Sequence, residues 1–334
     1  MEDQHVEILR DMVAPYQEDA KSLLRPDADF SHVRYSKRKD KKYGTYDGNY
    51  IARYRVLTGI QFTEDKAPYA DLIRRLFMEE VTDGETNSFQ GCGALDLASW
   101  LLKAVHAEDD VLLEKAKNAN FDTFCGFDPD HIDKDSFTSD LSTLTTEDGL
   151  QLALCVEESS YANRLLGLWK NEQSEWNANN LQQLRFFEQQ LGNTKEELSV
   201  LRQLFTLTKD ILNDWDYCAL SVTIAERQID LNHPNKAFQV MWRMMPRLRR
   251  ISHWRKVGLG RSAMAVCMDV VISGDEETAS RMWRRIKPDA TKMKKNMYLG
   301  LYKKSIQAAA RMGDDKLARS LKKNMKAFKK RNKL

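Results

Sequence analysis

Nine cations near the C-terminus carry the strongest chemical signal in this sequence. Arg249, Arg250 and Arg255 gather around Pro246, and Arg284, Arg285, Lys294 and Lys295 gather around Pro288. Lys322 and Lys326 belong to a terminal lysine-rich run. A guanidinium presents a fork of donors that matches phosphate or carboxylate oxygens in pairs, so a row of them suits phosphate, nucleic acid or an acidic protein surface. Residues 243–334 hold 26 Lys and Arg against 7 Asp and Glu, while all 334 residues hold 52 against 49. The overall charge of +3 therefore hides a C-terminal segment at +19 and a remainder at −16. Such asymmetry bears on partners and association rather than on fold.

Three other constellations are weaker. Gln90-Gly91-Cys92-Gly93 precedes an apolar run through Trp100, and a thiol at a helix N-terminus has its thiolate stabilised. A nucleophilic cysteine also needs a base. His106 lies about four turns further along the same helix, too far to serve. His131, His233 and His253 have no Asp or Asn at a spacing that marks a partner. A small-residue helix start is the preferred reading, and a cysteine-dependent enzyme at Cys92 ranks third among the functions considered. Asp128, Asp130, Asp133 and Asp135 surround His131, but the Gly and closing Glu of a calcium loop are missing, which favours a solvated acidic loop. Tyr35-Ser36-Lys37-Arg38-Lys39-Asp40-Lys41-Lys42-Tyr43 interleaves rings with cations, as single-stranded nucleic-acid binders do. A solvated loop is again the preferred reading. No Cys-x-x-Cys, His-Glu-x-x-His, Gly-x-Gly-x-x-Gly or phosphate-loop motif occurs, so no metal or cofactor is implied and no catalysis is expected.

The elements that position the cations repeat. Gly192, Asn232, Gly274 and Gly313 each fall between two helical runs, 40, 42 and 39 positions apart. Gly or Asn suits the left-handed residue that ends many helices. The Asn, Asp or Thr that follows can cap the next helix, and acidic residues after it suit that helix's positive end. Trp215 and Trp254 are expected to open long helices, and Pro246 and Pro288 to close the second helix of their repeats. Gly258 and Gly300 would let neighbouring helices approach closely. One helical hairpin cannot bury its apolar face alone, so consecutive hairpins must stack. In the last helix, Leu317, Ala318, Leu321, Met325 and Phe328 give one narrow apolar face amid lysines, as a closing helix with a polar outer side requires. The turns near Pro246 and Pro288 should share one edge of the stack and form a continuous basic ridge.

This pattern resembles tetratricopeptide-type repeats, with a Gly-rich turn, an Ala five residues on and a bulky residue four further. Gly274, Ala279 and Trp283 match; Asn232, Ala237 and Met241 nearly match; Gly313 and Ala318 match without a bulky residue at Lys322. The period near 40 exceeds the family's 34. The resemblance covers roughly residues 176–330 and implies an architecture, not a function. A convergent stack of helical hairpins remains open beside it.

Upstream the phase blurs. Residues 94–106 and 109–118 suggest a hairpin, as do 146–156 and 161–169. Helices are expected over 3–13 and 68–80. Residues 43–50 suggest a β-hairpin turning at Asp47-Gly48, in competition with a loop leading into a helix over 50–57. Residues 121–142 read as a long acidic loop and as the domain boundary. Only 7 Pro and 15 Gly punctuate the chain, which permits long helices. Five well-separated cysteines suggest free thiols, with Cys155, Cys218 and Cys267 buried in apolar runs, and hence a cytoplasmic location. The start at Met1 lacks a basic and an apolar region, so no secretory signal is read, and no window is long enough for a membrane span.

The expectation is an all-α protein, an α-solenoid of stacked, right-handed helical hairpins with a less regular N-terminal region. Its parts are an N-terminal helical region over 1–125, an acidic loop over 126–145 and a repeat region over 146–334. The preferred function is a non-catalytic scaffold or adaptor that holds a protein or peptide, acidic ones included. The alternative is a nucleic-acid-associated protein using the basic ridge. Membrane binding is not expected; self-association through the acidic half of a second molecule stays open.

Overall fold

A computed structural model describes residues 3–40, 44–86, 93–105, 109–133 and 135–332. The chain is helical, and it divides into two compact units, Met1–Ser174 and Glu175–Leu334. Among the described residues the strands are limited to one two-stranded antiparallel hairpin.

The first unit opens with α1 (Gln4–Ser22), longer than its sequence signal because Tyr16 and Ala20 continue its buried face past Pro15. Strand β1 (Lys37–Asp40) pairs with β2 (Gly44–Asp47), Lys37 opposite Asp47. The hairpin therefore lies upstream of its expected position. Asp47-Gly48 does not form its turn but leads into α2 (Tyr50–Gln61). The reason lies in Asp47 itself, which is buried and accepts hydrogen bonds from the backbone N–H groups of Ser36 and Asn49. Arg53, fully buried, forms ion pairs with Asp47 at 2.5 Å and Glu80 at 2.6 Å, joining the strand to α3 (Ala70–Thr86). The basic and tyrosine-rich run is thus partly an exposed strand; Lys41, Lys42 and Tyr43 lie outside the described residues.

Helix α4 (Gly93–Ala104) packs on α2 and α3, and α5 (Asp110–Lys117) packs on α3. The acidic stretch that reads as a loop holds a short helix, α6 (Phe121–Gly126), closed by a reciprocal cap between Asn120 and Thr123. It lies inside the first unit rather than between units: Phe127 and Ile132 are buried in the core, and Phe137 lies against Trp100. Phe127, Ile132 and Phe137 are interleaved with four aspartates, and apolar residues so placed are hard to recognise as core from sequence. Helices α7 (Thr146–Cys155) and α8 (Ser159–Glu172) form the expected hairpin, with Glu157 left-handed at φ 55° in its turn. Gly59 of α2 lies against Tyr16 of α1, where a Cβ would come within 2.5 Å of the Tyr16 carbonyl group.

The second unit comprises α9 (Ala178–Gln190), α10 (Thr194–Thr208), α11 (Asp214–Asp230), α12 (Pro234–Leu248), α13 (Gly258–Ser273), α14 (Glu276–Met293), α15 (Leu299–Arg311) and α16 (Asp315–Arg331). They pack as consecutive pairs, and α11, α13 and α15 touch in series. All four expected turns join paired helices. Gly192, Asn232 and Gly313 are left-handed, with φ of 71°, 58° and 66°. Gly274 is instead extended at φ −69°, and Asp275 caps α14 by accepting from the Thr278 N–H. Asp314 caps α16 likewise.

Three local expectations are corrected. Pro246 and Pro288 do not close α12 and α14 but lie inside them. Both prolines are exposed, so water can serve the carbonyl each leaves unpaired. Beyond them Leu248, Ala290 and Met293 remain buried and hold the helix in place. Trp254 is buried in a short 3-10 turn before α13 rather than opening it. Gly258 faces open space; the close approach is at Gly260, where a Cβ would overlap the Trp254 carbonyl. Ala237, Met241, Ala279 and Trp283, the residues that carry the repeat pattern, are all buried, and Ala237, Met241 and Trp283 share one core cluster.

Candidate binding groove

The C-terminal cations do not all face outward. Asp289 on α14 is buried; its Oδ2 accepts from Arg249 Nη2 at 2.9 Å, and its Oδ1 from Arg255 Nε at 2.9 Å and Nη2 at 2.5 Å. Arg250 forks onto Asp214 at 2.7 and 2.6 Å, and holds that carboxyl below its usual range. Arg285 stacks 4.0 Å over Trp242, and burial together with the nearby Arg249 lowers its pKa. The Arg249–Asp289 bridge joins the ends of α12 and α14, so these two ends do share an edge. Other cations tie hairpin to hairpin in the same way. Arg227 meets Glu197, Lys304 meets Asp269 and Lys287 meets Asp314. Arg311 donates to the carbonyls of Val271, Ile272 and Gly274 at the end of α13. Much of the C-terminal charge therefore stitches the helices together. Arg284, Lys295, Lys322 and Lys326 are exposed and have no ion pair among the described residues; Lys294 is half-buried, its carbonyl accepting from the Tyr302 hydroxyl.

A different set of cations frames a groove of about 740 Å³ over α10, α11 and α12. Arg202 of α10 and Lys209, at the C-terminal cap of that helix, line one side, and Lys236 and Arg243 of α12 line the other. Each pair is seven residues apart, two helical turns or about 10.5 Å. None of the four has an ion-pair partner among the described residues, and no carboxylate lines the groove. The floor comes from α11, whose Tyr217, Ser221, Ile224 and Gln228 succeed one another at spacings of three and four, on one helix face. Tyr217 is engaged by the Phe205 ring, with centroids 5.1 Å apart, and by the Arg247 guanidinium at 3.9 Å. The Ser221 hydroxyl donates to the Tyr217 carbonyl. Gln228 is only 1% exposed, and its Oε1 has no hydrogen-bond partner. A depression over Trp176, Leu181 and Leu207 shares Arg202 and Thr206 with the groove, and Trp176 and Leu207 are exposed apolar side chains.

Of the four groove cations, only Arg243 belongs to the cation-rich segment 243–334. The available signal is the shared spacing of seven residues between Arg202 and Lys209 and between Lys236 and Arg243.

The weaker constellations resolve as follows. Cys92 and His106 lie outside the described residues. Cys218 and Cys267 are buried, and burial pushes their pKa values up to about 11 and about 12. Cys155, expected in the core, is exposed at the end of α7, where its thiol meets the Tyr54 hydroxyl; the packing around its sulfur still raises its pKa. Asp128 is paired with His131 at 2.7 Å and with Lys117 at 3.2 Å. No metal-holding cluster of His, Cys, Asp or Glu occurs among the described residues. Nor, among them, is any helix long and apolar enough to cross a membrane. Comparison with protein-family models, curated proteins and solved structures gives no match for this chain.

Proposed function

We propose that this chain is a non-catalytic interaction protein whose C-terminal unit, a solenoid of tetratricopeptide-like hairpins, holds a segment of a partner protein. The observation that carries the reading is the open groove over α10, α11 and α12, whose lining mixes Phe205, Tyr217, Ile224 and Val240 with polar side chains and which is flanked by exposed Trp176 and Leu207. Contiguous exposed apolar surface of this kind marks interaction sites. The buried, repeat-phased Ala and bulky residues support the tetratricopeptide-like reading of the hairpins. The raised pKa values of Cys155, Cys218 and Cys267 keep these thiols protonated and argue against their use as nucleophiles.

The test is selection from a random displayed-peptide library on the full-length protein. Selected peptides, resynthesised, should bind with micromolar or better Kd and lose at least tenfold on Val240→Asp, which plants a carboxylate in the groove wall. Selected peptides that bind Val240→Asp as well as the wild type would refute the groove as the seat.

A second reading has its own observation: the exposed lysines of α16, including Lys322 and Lys326, have no ion pairs among the described residues. Nucleic-acid binding through them requires log affinity to fall against log salt by about 0.9 per phosphate contacted on duplex. Arg284→Ala with Lys322→Ala and Lys326→Ala should then weaken all sequences alike.

A further inference from the structure

We infer that the groove takes an acidic peptide in extended conformation, with the Gln228 amide reading the peptide backbone. This rests on the interaction reading above and specifies its ligand. The charge argument is direct. Four cations without ion-pair partners stand in two rails on either side of one helix, and no carboxylate answers them within the groove. Like charges gathered without counter-charge raise the local positive potential and favour an anionic occupant. Successive helices of the unit run antiparallel through tight connections. Arg202 and Lys236 therefore lie toward the Gln228 end of the floor, and Lys209 and Arg243 toward the Tyr217 end.

The conformation follows from Gln228. A buried amide oxygen without a donor is costly, and its natural complement is an N–H group. A helical peptide has consumed its backbone N–H groups internally, whereas an extended peptide keeps them free. The rail spacing agrees. About 10.5 Å along α10 or α12 equals roughly three residues of extended chain at about 3.3 Å each. Neighbouring side chains of an extended chain point to opposite sides. Two acidic pairs separated by one residue, Glu-Glu-Xaa-Glu-Glu, would place one pair across each end of the groove. Nucleic acid fits less well, because the two rings that line the groove are already engaged: Phe205 packs at a tilt against Tyr217, and Arg247 covers Tyr217.

The experiment uses the full-length protein and fluorescein-labelled peptides read by anisotropy at two salt concentrations. The probes are Ala-Glu-Glu-Leu-Glu-Glu-Ala, the same peptide with Gln for every Glu, and oligo-dT of matched charge. The Glu peptide should bind at least tenfold tighter than the Gln peptide and than oligo-dT. Its affinity should fall at least tenfold in Lys209→Ala/Arg243→Ala, with a shallower salt dependence. Gln228→Leu should weaken the peptide about fivefold, leave the salt dependence unchanged, and raise the Tm or leave it level. A merely structural Gln228 would lower Tm and leave affinity intact. Equal binding of the Glu and Gln peptides overturns the acidic ligand, even where library-selected neutral peptides still bind the groove and the interaction reading survives. Tighter binding of oligo-dT overturns the choice of a peptide. Unchanged affinity in Gln228→Leu overturns the backbone role.

Discussion

Asp289→Asn tests whether the C-terminal arginines belong to the fold or to a partner. The substitution keeps the shape of the side chain and removes its charge. Three charge-assisted hydrogen bonds converge on this buried carboxylate, from Arg249 at 2.9 Å and from Arg255 at 2.9 and 2.5 Å. Such bonds contribute about 1.5–3 kcal/mol each when isolated, and breaking a buried ion pair from one side costs about 3–5 kcal/mol. Here the guanidinium partners are partly open to water, their side chains 40% and 34% exposed, so solvent recovers part of the loss. The expected cost is therefore about 2–4 kcal/mol, or roughly 4–16 °C in Tm for a unit of this size. Urea unfolding followed by tryptophan fluorescence is a suitable assay, because Arg255 lies 4.7 Å over the buried Trp254 ring. The midpoint should fall without a change in slope. Arg284→Ala, at an exposed residue without an ion pair, is the control and should stay within about 0.5 kcal/mol. The Arg255→Ala/Asp289→Asn cycle should give a coupling of about 0.5–3 kcal/mol. A shift below 0.5 kcal/mol in Asp289→Asn would refute the reasoning and return Arg249 and Arg255 to the pool of cations free for a partner.

Three further outcomes are expected. Burial lifts the Asp96 pKa to about 6 in the folded state, so its contribution is full below the ordinary value of 3.8 and is lost as pH rises through about 6. Asp96→Asn should accordingly gain stability relative to wild type between pH 4 and pH 8, by less than the roughly 3 kcal/mol of an unscreened shift because the carboxyl is partly open to water, read from Tm at both. Gly59→Ala should cost about 1–3 kcal/mol or more by wedging α1 from α2, measured by chemical denaturation; a neutral result would mean that these helices slide freely. Among the described cysteines, Cys125 should react with an aromatic disulfide in the native protein well before Cys218 or Cys267, which should require unfolding. Mass mapping of the modified peptides would expose the opposite order.

The sequence alone determined the helical character and the turns of the C-terminal unit, because these are local properties. Gly192, Asn232 and Gly313 adopt the left-handed conformation that only a few residue types tolerate, and Asp275 and Asp314 cap helices within three residues of themselves. The apolar spacing that buries Ala279, Met282, Trp283 and Ile286 is likewise written along one helix. Proline misled because its cost is local while its compensation is not. Pro246 and Pro288 are carried inside helices by buried residues beyond them, packed against other helices. The hairpin of the first unit was displaced for a similar reason. Asp47 looks like a turn residue until Arg53 and Glu80, 6 and 33 positions away, make it a buried ion-pair partner.

Charge shows the same division most sharply. A count of residues gives the excess of cations, but not which are spent. Arg249, Arg250 and Arg255 differ little in sequence from Arg202, Lys209, Lys236 and Arg243. Only the tertiary packing brings Asp289 to Arg249 and Arg255 and Asp214 to Arg250, and leaves the second group lining a groove without counter-charge. A Coulomb interaction depends on the distance between the charges and on how far water is excluded from them. Both are set by tertiary contacts between residues some 30 to 40 positions apart, so the fate of each arginine was decided by the fold and not by its neighbours in the chain.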